Sequence, residues 1–147
     1  MSNGTTDVVL SVLCLAGADI ADSRWEKELM VWLAEHDQSI RGLGCVEFDL
    51  DELGWSKEAF PQQQHFLYRL IDRAMDHTGW DKLGYTPNEK IVADLLKKVR
   101  RIIGQYSPEY IDEQAKEWHS EPLLNFLRCQ QHGIYLHAEG CLICNDE

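Results

Sequence analysis

Apolar and polar positions recur with helical spacing over three long stretches of the chain. The first begins at Ser23, where Ser23-x-x-Glu26 has the form of a capping box, and it continues to about residue 36. The second begins near Pro61 and runs to about Asp76. The third begins at Thr86-Pro87-Asn88-Glu89, with Thr86 as the N-cap and Pro87 in the first turn, and it ends at Gly104. The buried stripes of these three predicted helices are Trp25, Leu29, Trp32 and Leu33; Phe66, Leu67, Leu70, Ile71 and Ala74; and Ile91, Val92, Leu95, Leu96, Val99, Ile102 and Ile103.

Two further stretches are apolar without helical spacing. The run from Val8 to Leu15 is nearly continuous and rich in β-branched residues, so it fits either a buried strand or a buried helix. Gly17 and the acidic residues after it are expected to end this element. Residues 45–50 alternate between apolar and polar, which predicts a short strand. Its polar face carries Glu47, Asp49 and Asp51. A solvated strand face explains this row, although a cation or a basic partner would also suit it.

The metal chemistry of the chain is concentrated in the sequence CQQHGIYLHAEGCLIC, residues 129–144. Cys-x-x-His is followed after eight residues by Cys-x-x-Cys, and thiolate and imidazole are the ligands that Zn²⁺ prefers in tetrahedral sites. Gly133 and Gly140 permit backbone turns at the two pairs, and Ile134-Tyr135-Leu136 can run as a strand between them. His137 is a reserve ligand in place of the first histidine. The four predicted zinc ligands are Cys129, His132, Cys141 and Cys144.

This stretch resembles the short zinc-ribbon signature C-x-x-H-G-x-[aromatic]…G-C-x-x-C, which recurs in otherwise unrelated bacterial and phage proteins. The resemblance covers sixteen residues of the chain. It implies a structural zinc site of the ribbon or knuckle kind, and it implies no activity. The residues that carry it are Cys129, His132, Gly133, Tyr135, Gly140, Cys141 and Cys144.

Other interpretations of the same residues lead to chemistry rather than structure. His137-Ala138-Glu139 and the following Cys-x-x-Cys contain parts of the zinc deaminase signature, but only Gly140 separates the two halves and the proline is missing. A redox-active Cys141-x-x-Cys144 pair, a catalytic metal and a site without metal stay open as alternatives. Four protein ligands leave zinc no open position, which favours a structural role.

The second predicted helix offers a separate candidate for acid/base chemistry. Its outer face carries His65, Arg69, Asp72 and Asp76 at successive three- and four-residue steps. Alternating charges of this kind are common on solvated helix faces, and neither a nucleophile nor a cleft accompanies them in the sequence. A small metal-dependent enzyme is therefore the alternative function rather than the first one.

The net charge of the chain limits the classes of molecule that it can attract as partners. The chain has 25 acidic and 14 basic residues, a net charge of −11. This charge repels nucleic acid and anionic membranes, and it attracts basic proteins. Lys97, Lys98, Arg100 and Arg101 lie in the last turns of the third helix, where cations interact favourably with the helix dipole. The first apolar run is too short to span a bilayer and no basic segment precedes it, so we expect a cytoplasmic protein.

These patterns together predict a fold class and a function. Start signals at Ser107-Pro108-Glu109 and Ser120-Glu121-Pro122 add two short helices before the metal motif. No repeat or linker divides the chain, so we expect a single domain over residues 1–147. The predicted class is α+β and predominantly helical, with about five helices, one or two short strands and a C-terminal zinc hairpin at 129–144. The predicted function is a zinc-stabilised protein-interaction module, such as an inhibitor, immunity protein or antitoxin, that binds a basic partner.

Overall fold

The fold is predominantly helical, as predicted. The computed structural model describes residues 3–36, 53–110, 126–137 and 140–146. In these ranges the α-helices are α1 (Asn3–Ile20), α2 (Arg24–Ala34), α3 (Phe60–Met75), α4 (Glu89–Gln105) and α5 (Leu142–Asp146). Short 3-10 helices span Trp80–Lys82 and Pro108–Tyr110.

Helix α1 is the centre of the core. Every residue from position 9 to position 18 is buried, and the helix packs against α2, α3 and α4. A helix that is covered on all sides needs no polar face, which is why its sequence shows no helical periodicity. The apolar run that fitted a strand or a helix is therefore a helix.

Gly17 does not end this helix, contrary to the sequence-based expectation. Helix α1 continues to Ile20. A Cβ atom added at Gly17 would overlap the Met30 side chain of α2, which is 1% exposed. The glycine therefore lets two helices approach closely instead of breaking one of them.

Helices α2 and α3 follow their sequence signals closely. The Ser23 hydroxyl accepts a hydrogen bond from the Glu26 backbone N–H at 3.2 Å, and the Glu26 carboxylate accepts one from the Ser23 N–H at 3.0 Å. This is the predicted capping box. Pro61 lies in the first turn of α3, and the whole predicted apolar stripe of that helix is buried.

Helix α4 begins two residues later than the sequence signal suggested. Its N-cap is Asn88, whose side chain accepts a hydrogen bond from the Ile91 backbone N–H at 3.1 Å. Thr86 and Pro87 precede the helix, so the predicted N-cap at Thr86 is wrong. Fewer residues of α4 are buried than its apolar pattern predicts. Ile91 is 49% exposed and Ile102 is 42% exposed.

The predicted strands are not confirmed. In the parts of the chain that the structure describes, β-pairing is limited to two isolated antiparallel bridges, Arg128 with Tyr135 and His137 with Gly140. The strand predicted at 45–50 and its carboxylate row lie outside the described residues. The same is true of nearly all of the two helices predicted after Ser107 and Ser120.

The C-terminal segment shares the core of the helices. Ile134, Tyr135, Leu142 and Ile143 are each at most 6% exposed, and they belong to the same continuous apolar cluster as the residues of α1 to α4. Among the helices described, none is long and apolar enough to cross a membrane. The segment that carries the predicted metal motif thus packs against the helical core with part of its residues.

Candidate metal centre

Local backbone geometry forms each half of the predicted metal motif. In the first half, the Gly133 N–H donates to the Cys129 carbonyl at 2.8 Å, and the Cys129 N–H donates to the Ile134 carbonyl at 2.8 Å. Gly133 has φ of 75°, a left-handed conformation that glycine adopts without strain. This tight turn places the His132 imidazole beside the Cys129 sulfur, as the three-residue offset predicts.

The second half begins with another glycine turn. Gly140 has φ of 107°, and its backbone pairs with that of His137 through bonds of 2.9 and 3.0 Å. The chain then enters α5, where the Cys144 N–H points at the Cys141 sulfur at 3.4 Å. Backbone N–H groups aimed at sulfur are favourable for a thiolate.

The four predicted ligands meet at one point. Nδ1 of His132 lies 3.7 Å from Cys129 Sγ, 3.6 Å from Cys141 Sγ and 3.3 Å from Cys144 Sγ. Cys129 Sγ and Cys144 Sγ are 3.7 Å apart, and all four ligand atoms lie within 4.8 Å of one another. Among the described residues, this is the one group of three or more potential ligands with such spacing.

These distances fit a tetrahedral zinc ion. Zn–S bonds of about 2.3 Å and Zn–N bonds of about 2.0–2.1 Å place tetrahedral ligands about 3.8 Å apart for two sulfurs and about 3.5 Å apart for sulfur and nitrogen. The separation of 3.7 Å between the sulfurs of Cys129 and Cys144 and the three separations of 3.3–3.7 Å between sulfur and nitrogen lie close to these values. The other sulfur pairs lie within 4.8 Å. Both the donor set and its geometry therefore suit a metal ion of this size.

The pKa values of Cys129 and Cys141 shift in opposite directions. Burial raises the pKa of Cys129, but hydrogen bonds from the backbone N–H groups of His132 and Gln131 outweigh it and lower the pKa to about 6. Burial raises the pKa of Cys141 to about 12. Without a cation the buried sulfur holds its proton, and a metal ion that binds here displaces it.

His137, the reserve ligand, does not join this group. Its side chain is buried, at 4% exposure. Neither of its ring nitrogens belongs to the group of four ligand atoms that lie within 4.8 Å of one another. Its backbone instead forms the turn with Gly140 that leads into the second cysteine pair. The structure therefore brings His132, and not His137, together with the three cysteines.

Arg128 attaches the metal hairpin to the helical core. Its guanidinium donates to the carbonyl of Gly133 at 2.6 Å and to the carbonyl of Ala18, in the last turn of α1, at 3.0 Å. A cation at the C-terminal end of a helix is favourable. The guanidinium also lies 5.4 Å from the centre of the Tyr135 ring. No local sequence pattern predicted this contact, because Ala18 is 110 residues away.

The other candidate residues stay apart from the cluster. His65, Arg69 and Asp72 of α3 and Asp76, the C-cap of that helix, are all exposed. Asp72 lies 3.8 Å from Arg100 of α4, whose guanidinium also lies over the Tyr68 ring at 4.3 Å. These contacts connect the surfaces of α3 and α4. They place none of the four predicted metal ligands beside His65, Arg69, Asp72 or Asp76.

Comparison of the chain with protein-family models, with curated proteins and with solved structures gives no match. The site geometry and the charge of the chain are therefore the basis for a functional proposal.

Proposed function

We propose that the chain is an acidic protein-interaction module, stabilised by a structural zinc ion, that binds a basic partner protein. The zinc ligands in this proposal are Cys129, His132, Cys141 and Cys144. The observation that carries the zinc assignment is the convergence of three sulfurs and one imidazole nitrogen at tetrahedral spacing.

Burial and ligand number favour a structural role for the zinc. Four protein ligands fill a tetrahedral site, whereas catalytic zinc sites have three and keep a position for water or substrate. Cys141 is 5% exposed and His132 is 1% exposed, so half of the ligand set lies within the core. The hairpin between the two pairs contributes Ile134 and Tyr135 to that core. Zinc in this position would hold the hairpin against α1.

Metal analysis of the purified protein tests the zinc assignment. We expect one equivalent of zinc per chain, and we expect loss of zinc in Cys141→Ser and His132→Ala variants. His137→Ala is the matched control, because it also removes a buried imidazole from the same hairpin. Loss of zinc in His137→Ala with retention in His132→Ala would overturn the ligand assignment.

Replacement of zinc by Co²⁺ separates a structural site from a catalytic one. The visible spectrum of Co²⁺ reports tetrahedral geometry and thiolate ligation, and an open position would make it respond to added small anions. We expect a tetrahedral thiolate spectrum that does not change with azide or cyanate. A spectrum that shifts with these anions would instead support the alternative of a small metal-dependent enzyme.

The proposal of a basic partner rests on how the charge is distributed along the chain. Residues 37–52 and 111–125 together carry nine acidic and two basic side chains, which is a net charge of −7 out of the −11 of the whole chain. Residues 37–52 alone have five acidic side chains against one basic, and residues 111–125 have four against one. Attraction of a basic protein therefore depends mainly on these two segments.

Charge-neutralised variants test the partner proposal. One variant replaces the five acids of 37–52 by their amides, and a second replaces the four acids of 111–125. A matched control neutralises five exposed acids of the described surface, namely Glu58, Asp76, Asp81, Asp94 and Glu109. We expect a captured partner with net positive charge whose binding weakens with salt. Binding should be lost in at least one segment variant and kept in the control. Full binding by both segment variants would refute the proposal.

A further inference from the structure

The predicted zinc ligands differ in their access to solvent. Cys144 is exposed and Cys129 is partly exposed, whereas Cys141 and His132 are buried. Among the three cysteines of the site, Cys144 is therefore the residue most accessible to an oxidant that arrives from solvent. Zinc ligation keeps such a sulfur in the thiolate form, which is the form that reacts with peroxides.

The two accessible sulfurs are also neighbours. Cys129 Sγ lies 3.7 Å from Cys144 Sγ, although the residues are 15 positions apart in the chain. Each belongs to a different half of the motif, so a bond between them would take one ligand from each half. Cys141 is less accessible to solvent than Cys129, because Cys141 is 5% exposed whereas Cys129 is partly exposed.

We propose that Cys129 and Cys144 form a peroxide-sensitive pair whose oxidation to a disulfide dismantles the zinc site. This inference rests on the proposed zinc function. The Cys144 thiolate attacks one oxygen of hydrogen peroxide, the O–O bond breaks, and hydroxide leaves as a sulfenic acid forms. The Cys129 thiolate then attacks the Cys144 sulfur, an S–S bond forms, and a second hydroxide leaves. Two protons convert both hydroxides to water, and the two electrons lost by the sulfurs reduce the peroxide.

Oxidation has a different structural consequence from removal of the metal by a chelator. After oxidation the cluster retains His132 and Cys141, which are too few ligands to hold zinc firmly. The disulfide, however, joins residues 129 and 144, the same two ends of the hairpin that zinc would join. The hairpin therefore stays closed while the metal leaves, and reduction in the presence of zinc restores the site.

Peptide mapping of the whole 147-residue chain distinguishes this disulfide from one between Cys141 and Cys144. Zinc content is measured first, since a protein purified without zinc contradicts the proposed function and not the redox step. After peroxide treatment and blocking of thiols, trypsin cleaves after Arg128 and a glutamate-specific protease cleaves after Glu139. A Cys129–Cys144 disulfide then links the two resulting peptides, whereas a Cys141–Cys144 disulfide lies within the second one.

The expected result is a linked pair of peptides, assigned to Cys129 and Cys144 by fragmentation, with one zinc released for every two thiols lost. A Cys14→Ser variant is the control, because this thiol is 2% exposed in α1 and should not change zinc release. The mapping of the wild-type protein decides the proposal, because a Cys144→Ser variant lacks one of the four predicted ligands and would lose zinc without peroxide. A disulfide within the second peptide, or zinc that stays bound after oxidation of the pair, would overturn it.

Discussion

Removal of zinc should detach the C-terminal hairpin while most of the helical structure remains. The hairpin from Cys129 to Cys144 contains sixteen residues. Ordering their backbone costs roughly 16–32 kcal/mol at about 1–2 kcal/mol per residue. Its four buried apolar side chains recover about 6–12 kcal/mol at about 1.5–3 kcal/mol each. These four side chains are Ile134, Tyr135, Leu142 and Ile143.

Backbone hydrogen bonds do not make up the difference between the entropic cost of ordering the hairpin and the free energy gained by burying its apolar side chains. Bonds such as Cys129 N–H to the Ile134 carbonyl contribute about 0.5–1.5 kcal/mol each. Half a dozen of them therefore add roughly 3–9 kcal/mol. The midpoints of these ranges leave a deficit of roughly 9 kcal/mol. Zinc modules bind their metal with apparent free energies of about 10–16 kcal/mol, which is the size needed to hold the hairpin in place.

Hydrogen exchange measured by mass spectrometry tests this expectation. After treatment with a strong zinc chelator, amides of 129–144 should lose protection, and in particular those of Cys129 and Gly133. Amides at Leu70 and Ile71 of α3 should stay protected, since these residues are buried within the helical core. The far-ultraviolet circular dichroism should fall little, because α1 to α4 contain most of the helical residues.

A chelator already saturated with zinc is the control, because it differs only in its capacity to remove metal. If the metal-free protein kept full protection over residues 129–144, the energetic argument would be refuted. The hairpin would then be stable through packing alone.

Three single substitutions test the contacts that position the site. Gly17→Ala should lower the free energy of unfolding by about 1 kcal/mol in urea titration, because the flexible end of the buried Met30 side chain must move, overpacking costs about 1–3 kcal/mol and helix propensity offsets part of it. Gly84→Ala, where a Cβ meets no atom within 4 Å, should be nearly neutral; equal effects of both changes would contradict the close approach of α1 and α2. Asn88→Ala should cost about 1 kcal/mol and Asn88→Asp close to nothing, since aspartate also caps a helix. Arg128→Ala should cost about 1–2 kcal/mol and weaken zinc retention against a competing chelator. Arg128→Lys should recover little of this, because an ammonium group lacks the planar fork that reaches both carbonyls; full recovery by lysine would point to charge alone.

The sequence predicted those elements whose determinants are local. The Ser23 capping box and the Pro61 helix start depend on residues within one turn, and the structure contains both. The clustering of the four predicted ligands could be predicted in part for the same reason, because a Cys-x-x-His or Cys-x-x-Cys turn brings its own two side chains together. Such features need no knowledge of what packs against them.

Other features depend on distant residues, and the sequence could not predict them. The apolar run in α1 shows no period because neighbours from three helices bury it on all sides. The prediction that Gly17 ends the helix is wrong, because this glycine makes room for Met30 of α2, a residue that is distant in the sequence. The bond from Arg128 to the Ala18 carbonyl connects opposite ends of the chain, and an isolated arginine carries no signal of such a partner.

Stability and recognition should be separable in this protein, because the residues assigned to them differ. The hairpin that carries the four predicted zinc ligands, residues 129–144, has one acidic residue and no basic one. Most of the excess acid lies in residues 37–52 and 111–125, which contribute none of the four predicted ligands. Neutralising these acids should therefore weaken partner binding at unchanged zinc content. Loss of Cys141 should reduce zinc content and stability first, and partner binding only as far as the fold is lost. Zinc content, the free energy of unfolding and partner binding are therefore measured in the charge-neutralised variants and in Cys141→Ser. If both kinds of variant lost zinc, stability and binding to the same extent, recognition would require the zinc hairpin itself.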